Sequence, residues 1–177
     1  MQSFRIVEGR STDSAQALAS LINQVYAVAE EGMWTVFGEE PAPRTSCEEV
    51  QELLNQGRLL LAKDDEKIIG SVCVQLLSPE LAEFGMLVAH RAYRGVGLGR
   101  QLVLAAEEYG RKNGASHMQL ELLTPKSWVH PVKDFLHNWY TRIGYIPIKR
   151  EPFEKSYAHL SEQLATPCNF TIYHKEL

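Results

Sequence analysis

The stretch Arg94-Gly95-Val96-Gly97-Leu98-Gly99-Arg100-Gln101-Leu102 decides how the chain folds and what it holds. An apolar run, Leu81-Ala82-Glu83-Phe84-Gly85-Met86-Leu87-Val88-Ala89, precedes it. From Leu98 onward apolar residues recur at Leu102, Ala105, Ala106 and Tyr109, the spacing of a helix with one buried face. The chain therefore passes from strand through a glycine-rich loop into a helix. Such a turn leaves several backbone N–H groups converging on one spot, where the helix dipole adds partial positive charge. That is a cradle for a phosphate.

Two other phosphate cradles fit less well. The dinucleotide fingerprint requires a third glycine where Arg100 stands, although Glu121 lies at about the distance of that motif's ribose-binding acid. A P-loop requires Gly-Lys-Ser/Thr after its spacer, which the stretch does not supply. A helix that merely follows a turn does not need three glycines alternating with Val96 and Leu98 and flanked by Arg94 and Arg100.

Arg94-x-x-Gly97-x-Gly99 after a strand, with Tyr93 just before it, resembles the acyl-CoA pyrophosphate loop of the GNAT superfamily of N-acetyltransferases. Further along, Trp139-Tyr140-Thr141-Arg142-Ile143-Gly144-Tyr145 is similar to that family's helix end, where a Tyr stands four residues before a Gly-aromatic pair. Together the two motifs cover roughly residues 80 to 150.

Composition sets bounds on the same reading. At 177 residues the chain has the length of one domain, and residues 1–177 are expected to form a single acetyltransferase domain. With 45% hydrophobic and 23% charged residues it is expected to be soluble and globular. No apolar run approaches the ~20 residues that span a bilayer, and the first residues lack the apolar core of a signal peptide, so a cytoplasmic location is expected. Cys47, Cys73 and Cys168 are too far apart for a metal clip and odd in number, which suits reduced thiols. Six histidines without a His-Glu-x-x-His pattern point to no catalytic metal. A net charge of −4 without a basic stripe argues against nucleic acid as a partner.

The remaining pattern alternates helices and strands. Residues 4–8 read as a strand, and Asp13 or Ser14 caps a helix carrying Leu18, Leu21, Ile22, Val25 and Tyr26 on one face. A loop over 30–44 follows, containing Trp34 and Phe37. Ser46 with Glu49 forms a capping-box pattern for a second helix, which Gly57 ends. Residues 59–62 and 68–77, joined by Asp64-Asp65-Glu66, read as an antiparallel hairpin. The helix after the glycine loop ends near Gly114, and a strand over 117–123 follows it. The strands on either side of that helix are expected to be parallel, because a crossover joins them.

This order agrees with the fold the resemblance implies: a mixed α/β domain with a mostly antiparallel central sheet flanked by helices. The resemblance further implies acetyl-CoA as acyl donor, its arm lying along the backbone of Leu87, Val88 and Ala89. Its pyrophosphate would meet the amides of Arg94, Gly95, Val96, Gly97, Leu98, Gly99 and Arg100. Tyr140 falls where the family carries a general acid for the leaving thiolate. Glu83 falls near where histone-type members carry a catalytic base, and alternation would place Glu83, Gly85, Leu87 and Ala89 on one face. Glu30, Glu31 and Tyr173 are weaker candidates for the base. The chain departs from the family in having Arg91 where a proline is common and Lys133 where many relatives carry a cofactor-contacting Asn. It also carries a long segment over 124–134, expected as a loop packed on the core or shaping an acceptor pocket.

The expected function is transfer of acetyl from acetyl-CoA to a primary amine by direct attack. The acceptor expected first is a small-molecule amine, ahead of a protein lysine or N-terminus, and a noncatalytic acyl-CoA-binding module is the alternative from another class. The loop around Trp34, Phe37 and Arg44 and the segment 152–166 are the expected acceptor side, where aromatics with acidic neighbours suit a cation. A monomer or homodimer is expected.

Overall fold

The computed structural model describes residues 3–177. The elements run β1 (Arg5–Glu8), α1 (Ala15–Ala29), β2 (Val36–Phe37), β3 (Glu40–Pro41), α2 (Cys47–Asn55), β4 (Leu59–Asp64), β5 (Lys67–Ser78) and β6 (Leu81–Ala89). After a short 3-10 turn at Arg91–Tyr93 come α3 (Leu98–Lys112), β7 (His117–Pro125), α4 (Pro131–Arg142), β8 (Ile146–Pro152), α5 (Phe153–Ser156), α6 (Ala158–Ser161) and β9 (Cys168–Glu176). They form two compact units: one takes the chain up to Tyr26, Arg44–Met118 and Leu177, the other Ala27–Pro43 and Gln119–Glu176. Strand order is β1-β4-β5-β6 in the first and β7-β9-β8 in the second.

In the first unit all three ladders are antiparallel. The acidic hairpin turn is tight, with Asp64 opposite Lys67 and Asp65 in the left-handed region at φ 51°. One face of these strands, carrying Leu59, Leu61 and Cys73, packs with Leu18, Ile22, Val50 and Leu54 of α1 and α2. Gly70 is on the other face, where α3 lies so close that a Cβ there would stand 2.9 Å from the Val88 carbonyl oxygen and 3.0 Å from Leu102. Both N-terminal helices are capped as their sequences indicate: Ser14 Oγ accepts from the Ala17 N–H and Ser46 Oγ from the Glu49 N–H, each at 3.1 Å. The Glu49 carboxylate accepts from the Thr45 hydroxyl at 2.6 Å.

The β5/β6 ladder corrects the expected alternation. Cys73 pairs with Gly85 and Ser71 with Val88, so Met86 and Leu87 together oppose the single residue Val72. This is a β-bulge, and Met86 adopts φ 47° to make it. The extra residue flips the faces beyond it. Glu83 and Gly85 share the side of Gln75 and Cys73, whereas Ala89 pairs with Gly70 and shares the side of α3.

In the second unit β8 and β9 pair antiparallel. Its apolar core gathers Met33, Phe153 and Cys168, with Trp34, Leu123, Tyr157, Leu160 and Leu164 packed against them. The expected loop over 124–134 is shorter than the sequence suggests. Strand β7 continues to Pro125, and Pro131 occupies the first turn of α4, where its missing N–H costs nothing. His130 caps that helix, its Nδ1 accepting from the Val132 N–H at 3.2 Å.

Candidate active site

The glycine loop has the construction that phosphate binding needs. His90 Nδ1 accepts from the Ala92 N–H and opens the turn that carries Tyr93 inward, where its hydroxyl donates to Asp64. This bond to the carboxylate is the main cause that pushes the Tyr93 phenol above its ordinary value. Gly95 and Gly97 sit at φ 80° and 81°, and a Cβ on either would meet nothing within 4 Å. Glycine is thus required here for its backbone conformation, and the space above both residues is open. Gly97 is the N-cap of α3 without any side-chain hydrogen bond, and the first turn contains no acidic residue. The amides of Leu98, Gly99 and Arg100 therefore start a fifteen-residue helix with no carboxylate competing for an anion. Leu98, 1% exposed, anchors this start, while Arg94, Val96 and Arg100 are exposed.

Leu87 is the second residue of the bulge, and Val88 and Ala89 follow it to the end of β6. An extra residue disturbs the ladder locally, which is how a strand in a sheet frees main-chain groups for a ligand. Sequence reasoning missed this bulge because its left-handed residue is Met86 and not the neighbouring glycine. Glu83 is held by a chain of side chains: Gln75 Nε2 donates to Glu83 Oε1 at 2.9 Å, and Arg58 Nη2 donates to Gln75 Oε1 at 2.6 Å. Neither support was legible in the sequence, since both pairs join residues distant along the chain.

Tyr140, expected as a general acid, lies in the second unit near the end of α4, 6% exposed. Its ring packs on Trp139 at 5.0 Å, edge-on to Tyr145 at 6.1 Å, and beside Tyr173 at 6.5 Å between centroids. Tyr145 is anchored to the helix end by its N–H donating to the Tyr140 carbonyl at 3.0 Å. Tyr173 is 1% exposed, and its Oη shares a hydrogen bond with His137 Nδ1 at 2.7 Å. Burial pushes the Tyr173 phenol up, so it stays protonated and is a poor base.

Glu30 is committed to structure. Its Oε1 accepts from Lys133 Nζ at 2.8 Å and its Oε2 from Trp34 Nε1 at 2.6 Å, with the two charged side chains only 10% and 6% exposed. A buried carboxylate in such a pair is costly to strip of its cation, which removes Glu30 from the candidate bases. Lys133 spends its ammonium on this pair. The two segments expected on the acceptor side are brought together: Trp34 bridges Leu164, the Thr35 N–H donates to the Gln163 carbonyl at 2.8 Å, and the Ala165 N–H donates to the Met33 carbonyl at 2.9 Å. The 126–130 stretch joins them through Trp128 Nε1 donating to Thr166 Oγ1 at 3.1 Å. Glu121, whose spacing suits a ribose-binding acid, accepts from the Tyr157 hydroxyl at 3.1 Å.

No group of three or more His, Cys, Asp or Glu among the described residues is arranged to hold a metal ion. No helix among them is long and apolar enough to cross a membrane. Many solved structures share the fold. An acetyltransferase from Streptococcus agalactiae superposes with a TM-score of 0.68 at 19% identity, covering 100% of both chains. The yncA protein of Salmonella typhimurium, solved with acetyl-CoA, gives 0.67 at 14% identity over 99% of this chain and 94% of that one. The PaiA N-acetyltransferase of Thermoplasma acidophilum, solved with coenzyme A, gives 0.66 at 18% identity over 99% of each. No curated protein sequence matches the chain. Residues 24–145, which carry the glycine loop, the bulged strand and Tyr140, match the acetyltransferase (GNAT) family, and the chain belongs to that family of acetyl-CoA-dependent enzymes.

Proposed function

We propose that the chain, as a single domain of residues 1–177 in the cytoplasm, transfers acetyl from acetyl-CoA to the primary amine of a small molecule by direct attack. The observation that carries this reading is the loop Arg94–Arg100, with two left-handed glycines under open space and a long helix behind them. Bound acetyl-CoA supplies an acetyl group activated as a thioester. The amides of Gly95 to Arg100 hold its pyrophosphate, with Arg94 and Arg100 adding positive charge at the rim. The backbone of Leu87, Val88 and Ala89, from the bulge to the strand end, lines its arm.

The residues have three tasks. An aliphatic ammonium has a reference pKa near ~10.4, so a proton must leave before the nitrogen can attack. Glu83, oriented by Gln75 and Arg58, takes that proton on a carboxylate oxygen. The phenol of Tyr140, fixed among three other aromatic rings, delivers its proton to the departing sulfur. A small acceptor is favoured because the Trp34 loop and the 163–165 segment are stitched into a hydrogen-bonded wall with half-buried aromatic rings, which suits enclosure of a compact cation.

Thiol release from acetyl-CoA over a panel of alkylamines and lysine peptides tests the reading. Tyr140→Phe is expected to lower kcat by ~10²-fold or more while acetyl-CoA affinity stays within about twofold. Turnover equal to that of the parent protein would remove Tyr140 from the mechanism, and thiol release with peptides alone would replace the small acceptor by a protein one.

A further inference from the structure

Four consecutive exposed residues, Arg94 to Gly97, make up the glycine loop, and a buried side chain stands at each end of it. Beyond it Leu98, 1% exposed, begins α3. Before it Tyr93, 8% exposed, closes the 3-10 turn. Gly95 and Gly97, both at positive φ, give the stretch between these ends many accessible conformations. The direction of the loop amides is therefore set by how firmly the two ends are held.

The β4–β5 hairpin holds both. At the far end α3 lies against β5, so that a Cβ on Gly70 would stand 3.5 Å from Leu98 and 3.0 Å from Leu102. At the near end the His90 N–H donates to the Ile69 carbonyl of β5 at 2.8 Å, and the His90 ring meets that of Tyr93 edge-on at 6.1 Å. The Tyr93 hydroxyl then donates to Asp64 Oδ2, on the last residue of β4. Asp64 is fixed in turn, opposite Lys67 in the tight hairpin. Charge alone argues against an acid at this place. The turn carries Asp64, Asp65 and Glu66, and a carboxylate beside an anion cradle opposes the anion. A hydrogen bond to an ionised acceptor is, however, stronger than one between neutral groups. What Asp64 gives the cradle is the bond to Tyr93 and not its charge.

We propose that Asp64 is a positioning residue for the cofactor: through Tyr93 it fixes the entry of the glycine loop and so aims the amides of Gly95 to Arg100 at the pyrophosphate. The proposal rests on the reading above that this loop holds acetyl-CoA. Asp64 touches no reacting atom. It acts by ordering the loop before the ligand arrives, which spares binding the cost of ordering it.

The test is calorimetric titration of the full chain with acetyl-CoA, beside ligand-observed NMR of S-acetylpantetheine, which has the arm and the thioester but no pyrophosphate. Tyr93→Phe and Asp64→Ala are each expected to weaken acetyl-CoA about tenfold, and the double variant no further than either alone, because both break one bond. Asp64→Asn removes the charge and keeps an oxygen that accepts from the phenol, so it is expected to restore most of the affinity lost in Asp64→Ala. S-acetylpantetheine binding is expected to stay within about twofold throughout, a selectivity that a general loosening of the fold would not produce. Wild-type affinity in Tyr93→Phe overturns the proposal, as does Asp64→Asn binding no better than Asp64→Ala, or a parallel loss of S-acetylpantetheine. Failure of the wild-type chain to bind acetyl-CoA refutes the cofactor reading itself, and the positioning role with it, whereas wild-type binding with unaffected variants refutes the positioning role alone.

Discussion

Gly97 shows how one residue sets a function. Its φ of 81° lies where an L side chain is strained, yet a Cβ there would meet nothing within 4 Å, so the requirement is conformational. Gly97→Ala is therefore expected to cost ~1–2 kcal/mol locally or to turn the loop amides away from their common focus. Acetyl-CoA affinity should fall by about tenfold in a calorimetric titration, with the melting temperature lowered by only a few degrees. Undiminished affinity would show that the loop amides do not bind the cofactor. Met86 is the opposite case: a bulky residue takes a left-handed conformation at φ 47°, and its side chain packs in the core with Cys73 and Val88. Burial of Met86 compensates the strain, and the bulge results. No rule of residue preference points to a methionine there, which is why Glu83 and Ala89 are assigned to one face by pattern and to opposite faces by the ladder.

Among the elements, α4 carries the clearest pH dependence. His130 caps it through Nδ1, which can accept the Val132 N–H only while unprotonated on that nitrogen. Burial, reinforced by the nearby Lys133 charge, lowers the His130 pKa from its ordinary value of 6.5. A histidine depressed in the folded state takes up protons more readily when unfolded. Its contribution is thus present above pH 6.5 and is lost as pH falls from there through the folded value. Urea unfolding is expected to show stability dropping on acidification below pH 6.5, and His130→Asn, which caps without titrating, should flatten that part of the profile. An identical profile in the variant would assign the loss to other groups. The other elements follow their local signals closely: the caps at Ser14 and Ser46, the acidic hairpin and the helix behind the glycine loop all form where residue type and period place them. The start of α4 does not, because Pro131 reads as a breaker in a Pro-rich loop, although it equally suits the first turn of a helix.

For the whole molecule, the candidate cofactor loop is the part written most plainly in the chain, since Arg94–Arg100 is contiguous and its glycines have few other uses. The segments proposed for the acceptor side are joined by residues far apart, Glu30 with Lys133 and Trp34 with Leu164, and only folding pairs them. Local pattern cannot announce a buried ion pair across more than a hundred residues, which is why Glu30 reads as a weaker candidate base in the sequence and as the partner of Lys133 in the fold. The central claim is that the glycine loop holds acetyl-CoA, and isothermal titration of the purified chain with acetyl-CoA, beside NADH as a control, tests it most directly. Micromolar binding of acetyl-CoA with no heat from NADH is the predicted result; absence of acetyl-CoA binding, or NADH binding of similar strength, would contradict the account.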